Sequence, residues 1–221
     1  DAADAVIFES ASVSQAVRLG EPETLERAES RDVGLRVLLG RRQAVASSSD
    51  LKPDAIAEML ERAMAMVRAV PEDKYCGLAD PDAIAAHIPD LDIEDPVEPT
   101  PEALLDRAKA CEAAARSVPG ITNSNGAEAS WSRSRIALAA SNGFAGGFSS
   151  SHHAISVSVV AGNGTAMERD HEMSVAVFAN DLEAAEAVGR RCGERTTHRL
   201  NTAKIKSGPL PDVLDNRRAG A

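Results

Sequence analysis

Twice along this chain, a stretch in which apolar and polar residues alternate gives way to one in which apolar residues recur every three or four positions. Alternation suits strands with one buried face, and the longer spacing suits a helix laid across them. Strands that come in runs, with no βαβ crossovers, define an α+β protein built from two antiparallel β-meanders, each followed by a packing helix. In the first run Val13, Gln15, Val17 and Leu19 share one parity, as do Val33, Leu35, Val37 and Leu39. Gly20-Glu21-Pro22 and Gly40-Arg41-Arg42 punctuate the run, which predicts four strands near 4–19, 23–30, 32–39 and 42–49. Pro53 suits a first helical position, and Ile56, Met59, Leu60, Ala63 and Val67 then share a helix face.

Residues 71–100 hold Pro71, Pro81, Pro89, Pro96 and Pro99 and an acidic run from Asp90 to Glu98, the composition of a solvated linker, with a short helix predicted at 81–87. Pro101 opens a helix whose buried face is Leu104, Ala108, Cys111, Ala115 and Val118. Asn-Gly then occurs at 125–126, 142–143 and 163–164, each between strand-like segments. That dipeptide supplies the positive φ of a tight hairpin turn, so three hairpins are predicted. Asn180 as N-cap and Glu183 as its capping-box partner start a last helix, buried through Leu182, Ala185, Val188 and Cys192 and ending near Arg199. The predicted organisation is a meander plus helix over 1–70, a Pro/acid-rich linker over 71–100, and a helix, long-stranded meander and terminal helix over 101–221.

Charge narrows the functions. The 221 residues include 24 Lys and Arg against 34 Asp and Glu, a net charge of −10, with the basic residues scattered among the acids. DNA backbone recognition needs clustered cations that release phosphate counterions, so no direct nucleic-acid partner is expected. No run approaches the roughly 18 apolar residues of a membrane span, and Asp1, Asp4 and Glu9 stand where a signal peptide is cationic and then apolar. A cytoplasmic protein without a membrane partner follows. Cys76, Cys111 and Cys192 form no CxxC and read as reduced thiols. A start at Asp1 rather than Met leads us to expect part of a longer protein.

Candidate chemistry is sparse. His171-Glu172 begins like HExxH, but Val175 occupies the second ligand position and the segment alternates as a strand. If Asn163-Gly164 centred a hairpin, paired residues would sum to about 327, bringing His153 opposite Met173 or Ser174 and diagonal to His171, with His152 beside it. Such a pair lacks a third metal ligand. Gly143, Gly146 and Gly147 with Ser149, Ser150 and Ser151 lack the P-loop pattern and read as a bulge or a close backbone approach. Trp131 and the methionines Met59, Met64 and Met66 read as packing residues. No catalytic, cofactor-binding or metal residue is predicted.

Longer stretches carry more information than these motifs. Ile121-Thr122-Asn123-Ser124-Asn125-Gly126, the run from Ser134 to Phe144, Ser156 to Gly162, and Met167-Glu168-Arg169-Asp170 together resemble the PmbA (TldE) branch of the TldD/PmbA family, also called modulators of DNA gyrase. Glu21 to Arg27, Gly34 to Val37, Ser48-Ser49-Asp50-Leu51, Gly77 to Pro81, and Arg199-Leu200-Asn201 before a Lys-rich turn and Pro209 agree with it in order. The resemblance implies a bacterial, cytosolic protein about twice this length, of which this is the N-terminal part. It also implies a complex in which a TldD-like subunit carries HExxxH and zinc, while the PmbA branch lacks that motif. By the same resemblance, such a complex is expected to act on unfolded peptides and on leader peptides. A non-catalytic subunit, paired with a TldD-like protein or as a homodimer, is the leading expectation. The alternatives are the N-terminal half of an active TldD-like zinc peptidase and a stand-alone interaction module. No family zinc ligand maps onto any residue here, and no cofactor is expected in this chain.

Overall fold

The structure is a computed structural model that describes residues 1–202, 206–209 and 215. Six antiparallel strands form one sheet in the order β3-β2-β1-β4-β5-β6. They are β1 (Ala2–Arg18), β2 (Glu21–Leu39), β3 (Arg42–Ser48), β4 (Ile121–Ala140), β5 (Ala145–Ala161) and β6 (Glu168–Ala176). Both expected meanders are present, and β1 pairs with β4 from Asp4↔Ala140 to Val17↔Ala127, so they share one sheet. The strands predicted at 23–30 and 32–39 are a single β2, because Ser30, Arg31 and Asp32 continue the pairing with β1. The turn expected between them had no glycine or proline to make it.

Helices α1 (Pro53–Ala69), α2 (Pro101–Arg116) and α3 (Ala185–His198) all lie on the face formed by odd-numbered residues of β1, β2, β4 and β5. Met59, Ala63 and Val67 of α1 pack on Val33, Val37, Ala44 and Ala46. Leu104, Ala108, Cys111 and Ala115 of α2, with Val188 and Cys192 of α3, cover Val13, Val17, Trp131, Ile155 and Val159. Each of the larger fully buried side chains contributes about 1.5–3 kcal/mol of hydrophobic stabilisation. Of the predicted α1 face, Leu60 points outward. Thr100 caps α2 through its hydroxyl, which accepts from Ala103 N at 3.2 Å, one residue ahead of the expected Pro101.

Of the three Asn-Gly pairs only Asn142-Gly143 lies in a hairpin turn, and that turn is longer than the two residues predicted. Gly143, at φ 96°, lies in the four-residue link between β4 and β5, with Gly143 N donating to Ala140 O. Asn125-Gly126 lies inside β4 as a bulge, where the register with β5 shifts between Ser124 and Gly126. A side chain on Gly126 would meet Val17 O at 2.6 Å, so the bulge needs glycine for space as well as for its φ of 104°. Asn163-Gly164 sits in a wider loop with a 3-10 turn over Gly164–Ala166. The capping box at Asn180 does not form. Ala179 N donates to Asp95 and Glu183 N to Ser174, which holds the segment off the helix path until Ala185, and Glu183 pairs with Arg191 instead.

The linker is tied down along its course. Asp73 N donates to Arg41 O, Asn142 donates to Ala79 O, and Ser151 N donates to Ile93 O. It thus straps across one end of the sheet's helix-free face, with Ile88 lying over Gly146, and returns past β5 to α2. Within it only Pro81–Ala83 is helical, as a 3-10 turn, in place of the helix predicted over 81–87. The Lys-rich turn after Asn201 falls in part outside the described residues.

Candidate functional site

Register and parity place the chemistry-bearing residues. β5 and β6 pair as Ser156↔Met173, a sum of 329 rather than 327, so His153 faces Ala176 and His171 faces Ser158. The wider loop at Asn163-Gly164 accounts for the shift. His153 points to the helices while His152 and His171 take the other face, so the predicted cross-hairpin histidine cluster does not assemble. Among the described residues, no group of three or more His, Cys, Asp or Glu is arranged to hold a metal ion. Gly147 is a close approach, as a side chain there would collide with the Ile136 carbonyl oxygen. Trp131 is packed beneath α2, and Met59 lies in the core. Burial pushes the Cys111 thiol up to about 12 and the Cys192 thiol to about 11, which makes both poor nucleophiles.

The helix-side face contains three polar constellations that the sequence did not announce. Fully buried Glu112 of α2 accepts from Leu19 N and Gly20 N, both at 2.8 Å, and so holds the β1–β2 turn. Buried Glu172 of β6 lies 3.1 Å from Arg191 Nε and 2.9 Å from Arg195 Nη1, while Asp170 pairs with Arg199 at 2.9 Å, so charge fastens α3 to the edge strand. The third lies where the strap returns. Ser151 Oγ accepts from Asp95 N and donates to Val177 O. Asp95 Oδ2 accepts from Ala179 N and lies 3.2 Å from His153 Nε2, poorly aligned for a hydrogen bond. The N–H groups of Ala179 and Val97 hold the Asp95 carboxyl below its ordinary range.

This serine, histidine and aspartate are not a nucleophilic triad. Ser151 is fully buried and bonded to backbone, and the imidazole makes no bond to it. Burial lowers the His153 pKa, against the opposing pull of Asp95. In the unfolded chain the imidazole titrates near its ordinary value, about 6.5, and so protonates before the folded one does. Stability is therefore fully present above about pH 6.5 and falls as pH drops through the folded value, with a slope of up to about 1.4 kcal/mol per pH unit. Urea unfolding at about pH 7.5 and about pH 5.5 should show a smaller acid loss for His153→Gln than for wild type. Equal losses would mean that the imidazole is not buried neutral.

Between the two core clusters runs a charged cleft of about 460 Å³, lined by Glu9, Glu29, Arg27, Arg31, Arg133 and Arg135. Its charges largely satisfy one another. Arg27 reaches Glu29 and Glu98, Arg31 reaches Glu9, and Arg133 stacks over Trp131 with its guanidinium 5.5 Å from the ring centre.

Among the described residues, the opposite face of the sheet carries no helix. Its side chains run in cross-strand rows over β1, β4 and β5: Phe8–Ile136–Phe148, then Ser10–Ser134–Ser150, Ser12–Ser132–His152 and Ser14–Ser130–Ala154. Ser10 also hydrogen-bonds Ser30 of β2 at 3.0 Å. From Val6 to Ala16, Ser130 to Leu138 and Gly146 to Ser158, this face holds no Asp, Glu, Lys or Arg. Charges return at its margins, as Glu128 at one end, Glu26 and Asp32 on β2, and the Asp4–Arg36 pair by the strap. The signal was visible in the sequence as two Ser-x-Ser-x-Ser runs, at 10–14 and 130–134. Which face they occupied, and that they lay side by side, depended on the register.

These features define a helix-backed antiparallel sheet with one uncovered, nearly uncharged face. Comparison with known proteins is consistent across the chain. Residues 3–67 match the model for PmbA/TldA metallopeptidase domain 1, and residues 94–200 match that for the PmbA/TldA metallopeptidase central domain. The chain belongs to the PmbA/TldD family. It is 31% identical to Metalloprotease PmbA of Escherichia coli O157:H7 over 220 residues, which is 99% of this chain and 49% of that protein. Among solved structures, a candidate modulator of DNA gyrase from Bacteroides thetaiotaomicron VPI-5482 superposes with a TM-score of 0.86 at 22% identity, over 94% of this chain and 48% of that one. TldE from Thermococcus kodakarensis superposes with a TM-score of 0.73 at 16% identity, over 89% and 44%. At these identities the structural likeness speaks for the fold. The chain spans about half the length of the curated relatives it matches.

Proposed function

We propose that this chain is a binding and structural part of a TldD/TldE-type metallopeptidase assembly and performs no catalysis itself. It presents surface to a TldD-like subunit and to unfolded or leader peptides, and the zinc belongs to that partner. The observation that carries this reading is the wide uncharged sheet face in a chain made of the family's first and central domains. Interface cores are depleted in charge, whereas an ordinary solvated face of so acidic a chain is not. Its net charge of −10, with Arg27, Arg31 and Arg135 of the cleft paired to glutamates, supports an indirect route for any effect on gyrase, without DNA contact. No helix among the described residues is long and apolar enough to cross a membrane, and we place the protein in the cytoplasm.

The test mixes purified chain with a TldD-like zinc protein and an unstructured peptide. The expected result is that the two proteins co-purify, that the chain alone leaves the peptide intact, and that any cleavage in the mixture is abolished by chelator. Chelator-sensitive cleavage by the chain alone would contradict the proposal and favour an active peptidase, in keeping with the metalloprotease names of its relatives.

A further inference from the structure

We infer that the charged cleft on the helix side of the sheet is a receptor for a peptide carboxylate, with Arg133 as its anchor. The inference rests on the reading of the chain as a peptide-handling part, and it gives the peptide a site apart from the uncharged face. Ala11 lies in the floor between Glu29 of β2 and Arg133 of β4, and Glu9 stands next to it between Arg31 and Arg135. The small side chain of Ala11 leaves room beside Arg133, and a cleft of about 460 Å³ is in the range of small-ligand sites.

Charge pairing leaves one guanidinium over. Arg27 takes both Glu29 and Glu98, Arg31 takes Glu9, and Arg135 lies 3.7 Å from Glu94, so four carboxylates serve three arginines. Among the described residues Arg133 makes no ion pair or hydrogen bond, and it is held over the ring of buried Trp131. Stacking keeps the N–H donors of a guanidinium in a fixed plane, so little freedom is lost when a carboxylate takes two of them. Arg133 is also half-buried, which makes a charge-assisted pair there stronger than one on open surface.

The surroundings select the anion. Glu9 and Glu29 line the cleft, Glu94 and Glu98 reach its arginines, and the whole chain carries −10. Those charges repel a phosphate dianion or a polyanion more strongly than a single carboxylate. The same glutamates have lone pairs to spare for backbone N–H groups. A peptide brings both partners, a carboxylate for Arg133 and N–H donors for the glutamates. Its carboxylate is either the C-terminal one or that of an acidic side chain, and the ligands below separate the two.

Trp131 is the chain's single tryptophan, so its fluorescence reports on the neighbouring Arg133, and calorimetry gives the affinity. The probes are three acetylated peptides: tetra-alanine as the free acid, the same peptide amidated, and an amidated peptide with one central glutamate. At roughly millimolar peptide, at least one carboxylate-bearing probe should bind saturably and shift the Trp131 emission, while the neutral amide should not. A response to the free acid identifies a terminal carboxylate, and a response to the glutamate peptide identifies a side chain. Arg133→Gln should weaken binding at least about tenfold, with an unchanged circular dichroism spectrum. Arg190→Gln, at an exposed position of α3, should leave it unchanged. Amidation removes the same contact from the ligand side, whatever Arg133→Gln does to folding. Equal binding of all three peptides, binding of none, or binding indifferent to Arg133→Gln would overturn the inference. Any of these results together with capture of the TldD-like protein would overturn it and leave the proposed function standing.

Discussion

Gly189→Ala is expected to cost about 3 kcal/mol of folding stability or more, although alanine is the better helix former. A methyl group at position 189 of α3 would collide with the Cys111 carbonyl oxygen of α2 and crowd Ala114 and Ala115. A side chain at Gly193, one turn on, would meet the Ala115 oxygen at 2.8 Å, so the two glycines form a flat strip on which α2 rests. The obstacle is backbone, which cannot rotate aside. The helices must separate, and the packing of Val188 and Cys192 over the sheet goes with them. Urea unfolding measures the loss, and Gly77→Ala, with open space around it, is the neutral control. A Gly189→Ala loss below about 1 kcal/mol would show that α2 and α3 are not in this contact.

Glu112→Ala is expected to cost about 2–4 kcal/mol, because the lost carboxylate leaves the Leu19 and Gly20 N–H groups without their acceptor and a void in the core. The turn it holds is itself strained. Leu19 has φ 54°, a left-handed conformation that costs a leucine about 1–2 kcal/mol. Leu19→Gly relieves that strain and should recover about 1 kcal/mol in the Glu112→Ala background. If Glu112→Ala is harmless, or Leu19→Gly destabilises both backgrounds, the carboxylate does not hold the turn.

Why Leu19 tolerates that conformation could not be read locally. Its anchor lies in α2, and only the folded chain brings Glu112 under the β1–β2 turn. The Asn-Gly dipeptides make the same point. All three satisfy the local chemistry of a tight turn, yet Gly126 serves a bulge, because β5 continues to pair with β4 on both sides of it. The histidines show how sensitive such readings are. A shift of two in the register sum moved His153 from beside Ser174 to opposite Ala176. The helix faces were more legible, since Leu104, Ala108, Cys111 and Ala115 share one stripe wherever α2 packs.

The sequence by itself determined the α+β class, the two meanders, the three packing helices and the family, because periodicity and local residue order survive without tertiary context. Tertiary structure alone decided that the meanders join through β1 and β4, and that all three helices share one face of the sheet. It also decided that two distant serine runs lie side by side on the other face. Alternation says which residues of a strand share a face, but which strands are neighbours is set by long-range pairing, and with it whether that face is covered.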